Sequence, residues 1–163
     1  MATKTGQLQV RVTTKQKTAI RRLSRRAGQS VSSYVLSRVL PDDRVRFGEI
    51  LRSLQEESER RFALAELNDF LAGLHPSEFR DAVEEAEIGA LTPLVANYVA
   101  AMVEQAANRL GVDPPDWTSG VELLDEPHFV VPFLSLRPHL LRSAPVAFKR
   151  RNIFVDSSVG DRV

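Results

Sequence analysis

The chain has 163 residues, enough for one domain of ordinary size or two small ones. Hydrophobic residues make up 43% and charged residues 26%, a globular balance that argues against a disordered or membrane-spanning chain, and the absence of cysteine excludes disulfides and thiol chemistry. The net charge of +1 conceals a separation. Residues 1–40 hold nine Lys or Arg and no acid; residues 41–130 hold seven basic and nineteen acidic residues; residues 131–163 hold six basic and two acidic ones. A strongly basic end beside an acidic body suggests a nucleic-acid-binding end and a body with another task. No apolar run approaches the roughly 20 residues of a membrane helix, and the start lacks the apolar core of a signal peptide. A cytoplasmic protein without membrane contact is expected.

From Gln7 to Val12, apolar Leu8, Val10 and Val12 alternate with Gln7, Gln9 and Arg11. A period of two predicts a strand with one buried and one wet face. Thr13 and Gln16 read as a capping box opening a helix that runs to about Ala27, with Ala19, Ile20, Leu23 and Ala27 as its apolar stripe. Gly28 suits a left-handed helix end, Ser30 caps a second helix carrying Val31, Tyr34, Val35 and Val39, and Pro41 ends it. One strand and two short helices cannot bury enough apolar surface alone. The stretch makes sense as half of a homodimer, its strand paired with the same strand of a second copy.

Asp42 and Asp43 start the next helical pattern, with stripes at Phe47, Ile50, Leu51 and Leu54 and again at Phe62, Ala63, Leu67, Phe70, Leu71 and Leu74. This is one long helix or two with a break near Ser58. Glu78 to Glu87 reads as a short acidic helix. Thr92-Pro93 places a cap and an N1 proline before a helix ending at Leu110-Gly111, with Leu94, Val95, Tyr98, Val99, Met102, Val103, Ala106 and Leu110 on its buried side. From Val112 onward prolines break the pattern. Leu134 to Ser143 allows only short helical pieces because of Pro138, and Asn152 to Asp156 looks extended. The expected architecture is mainly α: an N-terminal ribbon-helix-helix over 1–41, a helical domain over 42–111, and an irregular, partly extended C-terminal tail over 112–163.

Gln7 to Val39 resembles the ribbon-helix-helix (Arc/MetJ-type) DNA-binding family, with strand, first helix, the turn Gly28-Gln29-Ser30-Val31-Ser32-Ser33 and second helix in the family's order. The resemblance implies an intermolecular two-stranded antiparallel ribbon that enters the major groove of operator DNA. It carries base reading over to Gln7, Gln9 and Arg11, and phosphate clamping to Ser30 and the main-chain N–H groups of Val31 and Ser32. Lys4 and Lys15 are further candidates for phosphate contact. The chemistry agrees: Arg forms a bidentate contact with guanine and Gln with adenine, and a helix N-terminus offers N–H groups to an anion. The family often has proline or serine just after its strand, where this chain has Thr13-Thr14.

A bare repressor of this kind needs only about one third of this chain. Many bacterial antitoxins join such an N-terminus to a segment that wraps a toxin. The ending Ala144 to Val155 looks like tails of small antitoxin-type proteins, some of them encoded beside nucleotidyltransferase-like toxins. A proline-broken segment rich in large apolar groups often folds on a partner. Candidate toxin-binding residues are therefore Trp117, Phe129, Phe133, Phe148, Lys149, Arg150, Arg151 and Phe154. The competing reading is a ligand-responsive ribbon-helix-helix repressor with the helical body as sensor and no toxin partner. The three histidines, His75, His128 and His139, match no standard metal spacing, so neither metal nor other cofactor is expected. Nor is an enzyme expected: no nucleophile–base pair or phosphate-binding loop stands out, and Glu84, Glu85 and Glu87 read as a solvated helix face.

Overall fold

The computed structural model describes residues 9–39 and 42–156. The chain divides into two compact units, one ending at Pro41 and one beginning at Asp42. Both are built mainly from helices.

The first unit contains helix α1 (Thr14–Arg26) and helix α2 (Val31–Val39), which pack on each other. The local signals in the sequence set the ends of α1. Thr13 is extended, its hydroxyl accepts from the Gln16 amide at 3.3 Å, and its own amide donates to Gln16 Oε1 at 2.9 Å. Two orphan donors of the first turn are thus satisfied reciprocally. Gly28 reverses the chain at φ 64°, where a side chain would be strained. Ser30 Oγ then accepts from the Ser33 amide at 3.1 Å and caps α2. The expected strand is not present within one chain. Gln9 to Thr13 form no ladder and are exposed, while Gln7 and Leu8 lie outside the described residues. The physical reason is that a single strand has no partner for its backbone groups inside this unit.

The second unit has a full core. Helix α3 (Asp43–Ser53) and helix α4 (Arg60–Gly73) are separate, joined by the turns of residues 54–59. Helix α5 (Pro76–Val83) follows, with the imidazole of His75 accepting from the Ser77 amide at its start. Helix α6 (Pro93–Leu110) begins on Pro93 and stops at Gly111, which takes φ 68°. It is the central element and packs against α4, α5 and the C-terminal helix described below. Phe47, Ile50, Leu51, Leu67, Phe79, Val83, Val99 and Val103 are all essentially removed from water.

The C-terminal segment is part of this core, which corrects the expectation of a tail that needs a partner to fold. Strand β1 (His128–Phe129), helix α7 (Arg137–Ser143), helix α8 (Val146–Lys149) and strand β2 (Ile153–Phe154) follow one another. The strands pair in parallel, His128 beside Ile153 and Phe129 beside Phe154. Phe148, Ile153 and Val155 join the same core cluster as α3 to α6, and Phe148 meets Tyr98 edge-to-face at 5.2 Å. The apolar groups that looked unpartnered in the sequence have their own helical body to pack on. Pro138 sits in the first turn of the seven-residue α7, where a missing N–H costs nothing. Removing the Phe148 ring should cost about 3–5 kcal/mol of unfolding free energy. Urea denaturation of Phe148→Ala checks this, and a loss below about 1 kcal/mol would separate the segment from the core.

Candidate functional site

Three groups of residues have the character of sites, and each is set up by local sequence. In the first unit, the exposed side chains include Gln9 and Arg11 before α1, Lys15 in its first turn, and Ser30, Val31 and Ser32 at the start of α2. Lys4 and Gln7 lie outside the described residues. The first amides of α2 point along the helix axis without intrahelical acceptors, as at every helix start. No acidic residue occurs in this unit to neutralise its cations.

The apolar side chains of the unit are poorly covered. Val10 is 67% exposed, and Val12, Leu23, Val31 and Leu36 are each near 40%. Among the described side chains of this unit, Ser24 alone is buried, with its hydroxyl donating to the Arg21 carbonyl at 3.1 Å. The α1 stripe expected to be buried, Ala19, Ile20, Leu23 and Ala27, is half-covered at best. Shelter for it has to come from outside these residues.

The second group is a buried polar hub that joins α6 to the C-terminal segment. The Arg151 guanidinium donates to Glu104 Oε1, to Asn97 Oδ1 at 3.2 Å and to the Thr118 carbonyl at 2.6 Å. Asn97 in turn donates to the carbonyls of Pro93 at 2.9 Å and Glu122 at 2.7 Å. Asn152, at φ 58°, donates to the Leu124 carbonyl at 2.6 Å and turns the chain into β2. Asparagine tolerates this left-handed conformation better than most side chains. The Trp117 indole donates to the Val83 carbonyl at 2.8 Å, pinning the loop to the end of α5.

These contacts reassign most of the residues expected to meet a partner. Phe148, Arg151 and Phe154 are buried and structural. Phe129 is half-buried, stacked on Phe154 at 4.8 Å with Arg137 over its face. Trp117 is half-buried on its carbonyl partner. Lys149 is half-buried, and its ammonium donates to the Arg142 carbonyl at 2.8 Å. Phe133 and Arg150 remain exposed. The run Lys149-Arg150-Arg151 is therefore not one basic patch, because the short helix turns Arg151 inward with Phe148. The hub carried a faint sequence signal. Asn97 and Glu104 stand seven residues apart on a helix whose surface is otherwise mostly apolar, and a buried polar group needs a partner.

The third group is an exposed apolar set in the C-terminal segment. Phe133 is 64% and Leu134 70% exposed, with Val130, Leu136 and Leu141 also largely in water. Arg137 and Arg142, exposed, lie in the same stretch. Chemistry elsewhere is plain. Glu84 and Glu85 pair with Arg80 and Arg44 at the surface, and His139 lies 3.5 Å from Asp156. Among the described residues, no group of three or more His, Asp or Glu is placed to hold a metal ion, and no helix is long and apolar enough to cross a membrane. Comparisons with protein-family models, with curated proteins and with solved structures found no match for this chain.

Truncating Glu104 to Ala would leave the Arg151 charge buried without its carboxylate, a change that costs about 3–5 kcal/mol in comparable buried pairs. Replacing both by apolar residues, Glu104→Leu with Arg151→Met, should restore most of that loss. Unfolding curves of the single and double variants check the hub, and an unchanged midpoint for Glu104→Ala would remove its structural role.

Proposed function

We propose that this chain is a DNA-binding antitoxin: a homodimer that reads operator DNA with its first unit and neutralises a toxin protein with its second. The observation that carries the DNA part is the coincidence, in one short unit, of nine cations, no acid and no buried apolar side chain among those described. Such a unit gains a core by pairing with its copy, and gains a counter-charge by meeting phosphates. Pairing residues 7–12 of two chains as an antiparallel ribbon shelters Val10, Val12 and Leu23 and directs Gln7, Gln9 and Arg11 outward into the major groove. Ser30 and the amides of Val31 and Ser32 then meet a phosphate, with Lys4 and Lys15 alongside. The carry-over rests on the resemblance to ribbon-helix-helix proteins together with the observed capping box, the Gly28 turn and the Ser30 cap.

The partner reading rests on the exposed apolar set of residues 130–141. Large apolar groups exposed along one stretch of chain, with Arg137 and Arg142 in the same stretch, suit an apolar groove with acidic edges on another protein. On this reading the toxin meets a folded unit, with Phe133 and Leu134 as the anchors. Repression of its own promoter would follow from the DNA-binding half.

Arg11→Ala should weaken binding to the duplex upstream of its own gene by about 1–3 kcal/mol while leaving random duplex binding nearly unchanged. Fluorescence anisotropy at two salt concentrations reads both, and equal affinity of variant and wild type would remove the groove assignment. Phe133→Asp with Leu134→Asp should abolish co-purification with the product of the adjacent gene, at a cost of about 2 kcal/mol or more per anchor. Both positions are exposed, so the unfolding midpoint should stay put. Undiminished co-purification would move the partner surface elsewhere.

A further inference from the structure

We propose that α1 carries a second, sequence-independent site for duplex DNA, on the side of the dimer away from the ribbon. This inference rests on the DNA-binding reading above, whose charge excess includes these four arginines but whose operator contacts do not.

Arg21, Arg22, Arg25 and Arg26 are exposed, and with Thr18 they share one open surface of α1. Residues four apart on a helix are neighbours, so Arg21 faces Arg25 and Arg22 faces Arg26. Like charges at that spacing repel and weaken the helix. None of the four has an ion-pair partner among the described residues. Arg25 and Arg26 gain from the helix dipole in the last turn of α1, but the i,i+4 repulsion within each pair remains. A bound polyanion removes the repulsion. All four are Arg rather than Lys, and the planar guanidinium fork matches phosphate oxygens in a bidentate way. Arginines and a threonine facing phosphates carry no base-reading information, so binding there is indifferent to sequence.

The helix geometry decides which duplex this is. At 100° per residue, Arg21 and Arg25 lie opposite the apolar stripe of Ala19, Ile20, Leu23 and Ala27, while Arg22 and Arg26 flank it. In the proposed dimer that stripe and the apolar side of the ribbon share one core, while the polar side of the ribbon faces DNA. The order is then DNA, ribbon, core, helix and finally the arginine face. DNA is stiff over about 150 base pairs, so the short duplex held by the ribbon does not bend round to reach it. The arginine face meets a second duplex, and one dimer bridges two.

The test uses the full-length protein, a biotinylated duplex from upstream of its own gene, and a fluorescent random-sequence duplex of thirty base pairs or so. Wild type on the immobilised first duplex should capture the second. Arg21→Gln with Arg25→Gln removes four charges per dimer from the outward side but keeps helix propensity. This variant should hold the first duplex within about threefold of wild type and capture the second at least about tenfold less, with capture in wild type falling steeply as salt rises. Arg11→Ala should lose the immobilised duplex yet bind the random duplex free in solution about as well as wild type, read by anisotropy. Equal capture by wild type and the Gln variant overturns the second site. So does wild type that holds the first duplex and captures no other, or a soluble polyglutamate that occupies the arginines in preference to random duplex. If wild type holds neither duplex, the DNA-binding reading itself fails.

Discussion

Apolar side chains left in water need shelter from elsewhere, and those described in the first unit of this protein are in that position. Both helices are capped at their starts, yet among the described side chains of the unit only a serine is buried. Burial of apolar surface is the dominant favourable term in folding. Local capping contributes about 1 kcal/mol at each helix end and cannot replace it. The paired arginines of α1 repel each other at the surface as well. In the proposed assembly a second copy would supply the missing shelter and a polyanion the missing counter-charge. The proposal thus draws on what the unit lacks as much as on what it displays.

The second unit stands in contrast. Its core is complete, and Arg151 ties together parts of the chain that are far apart in sequence: Asn97 and Glu104 on α6 and the turn at Thr118. Burying a guanidinium is unfavourable unless it is both paired and hydrogen-bonded; here both terminal nitrogens are bonded, and the buried Nε alone lacks a partner. The hub fixes where the C-terminal segment docks, and Phe148 fills the adjoining core. A partner that binds this unit meets a folded surface, so the association does not also bear the cost of ordering a disordered tail.

Much of the fold was legible in the sequence, and the part that was not has a common cause. Thr13 with Gln16, Thr92-Pro93 and Gly111 mark helix ends through interactions a few residues long, and the structure places α1 and α6 accordingly. The alternation of Gln7 to Val12 was equally plain, but the described part of it, residues 9–12, forms no ladder. The joint at residues 54–59 was ambiguous because the apolar stripe resumes in helical phase beyond it. The C-terminal segment was misread because prolines and bulky apolar groups look alike in a tail that waits for a partner and in one that packs back at long range. Arg151 lies 54 residues from Asn97, and no local pattern carries that contact. Of the candidate site residues, Gln9, Arg11, Ser30 and Phe133 are exposed as a binding role requires, whereas Phe148, Arg151 and Phe154 belong to the core.

The claim on which the rest depends is that the first unit is completed by a second copy of itself. Sedimentation equilibrium of the full-length protein tests it without any knowledge of operator or toxin. The account predicts a species of twice the 18.2 kDa chain mass at micromolar concentration. A stable monomer across that range, with the helices of residues 14–39 fully formed, would contradict it.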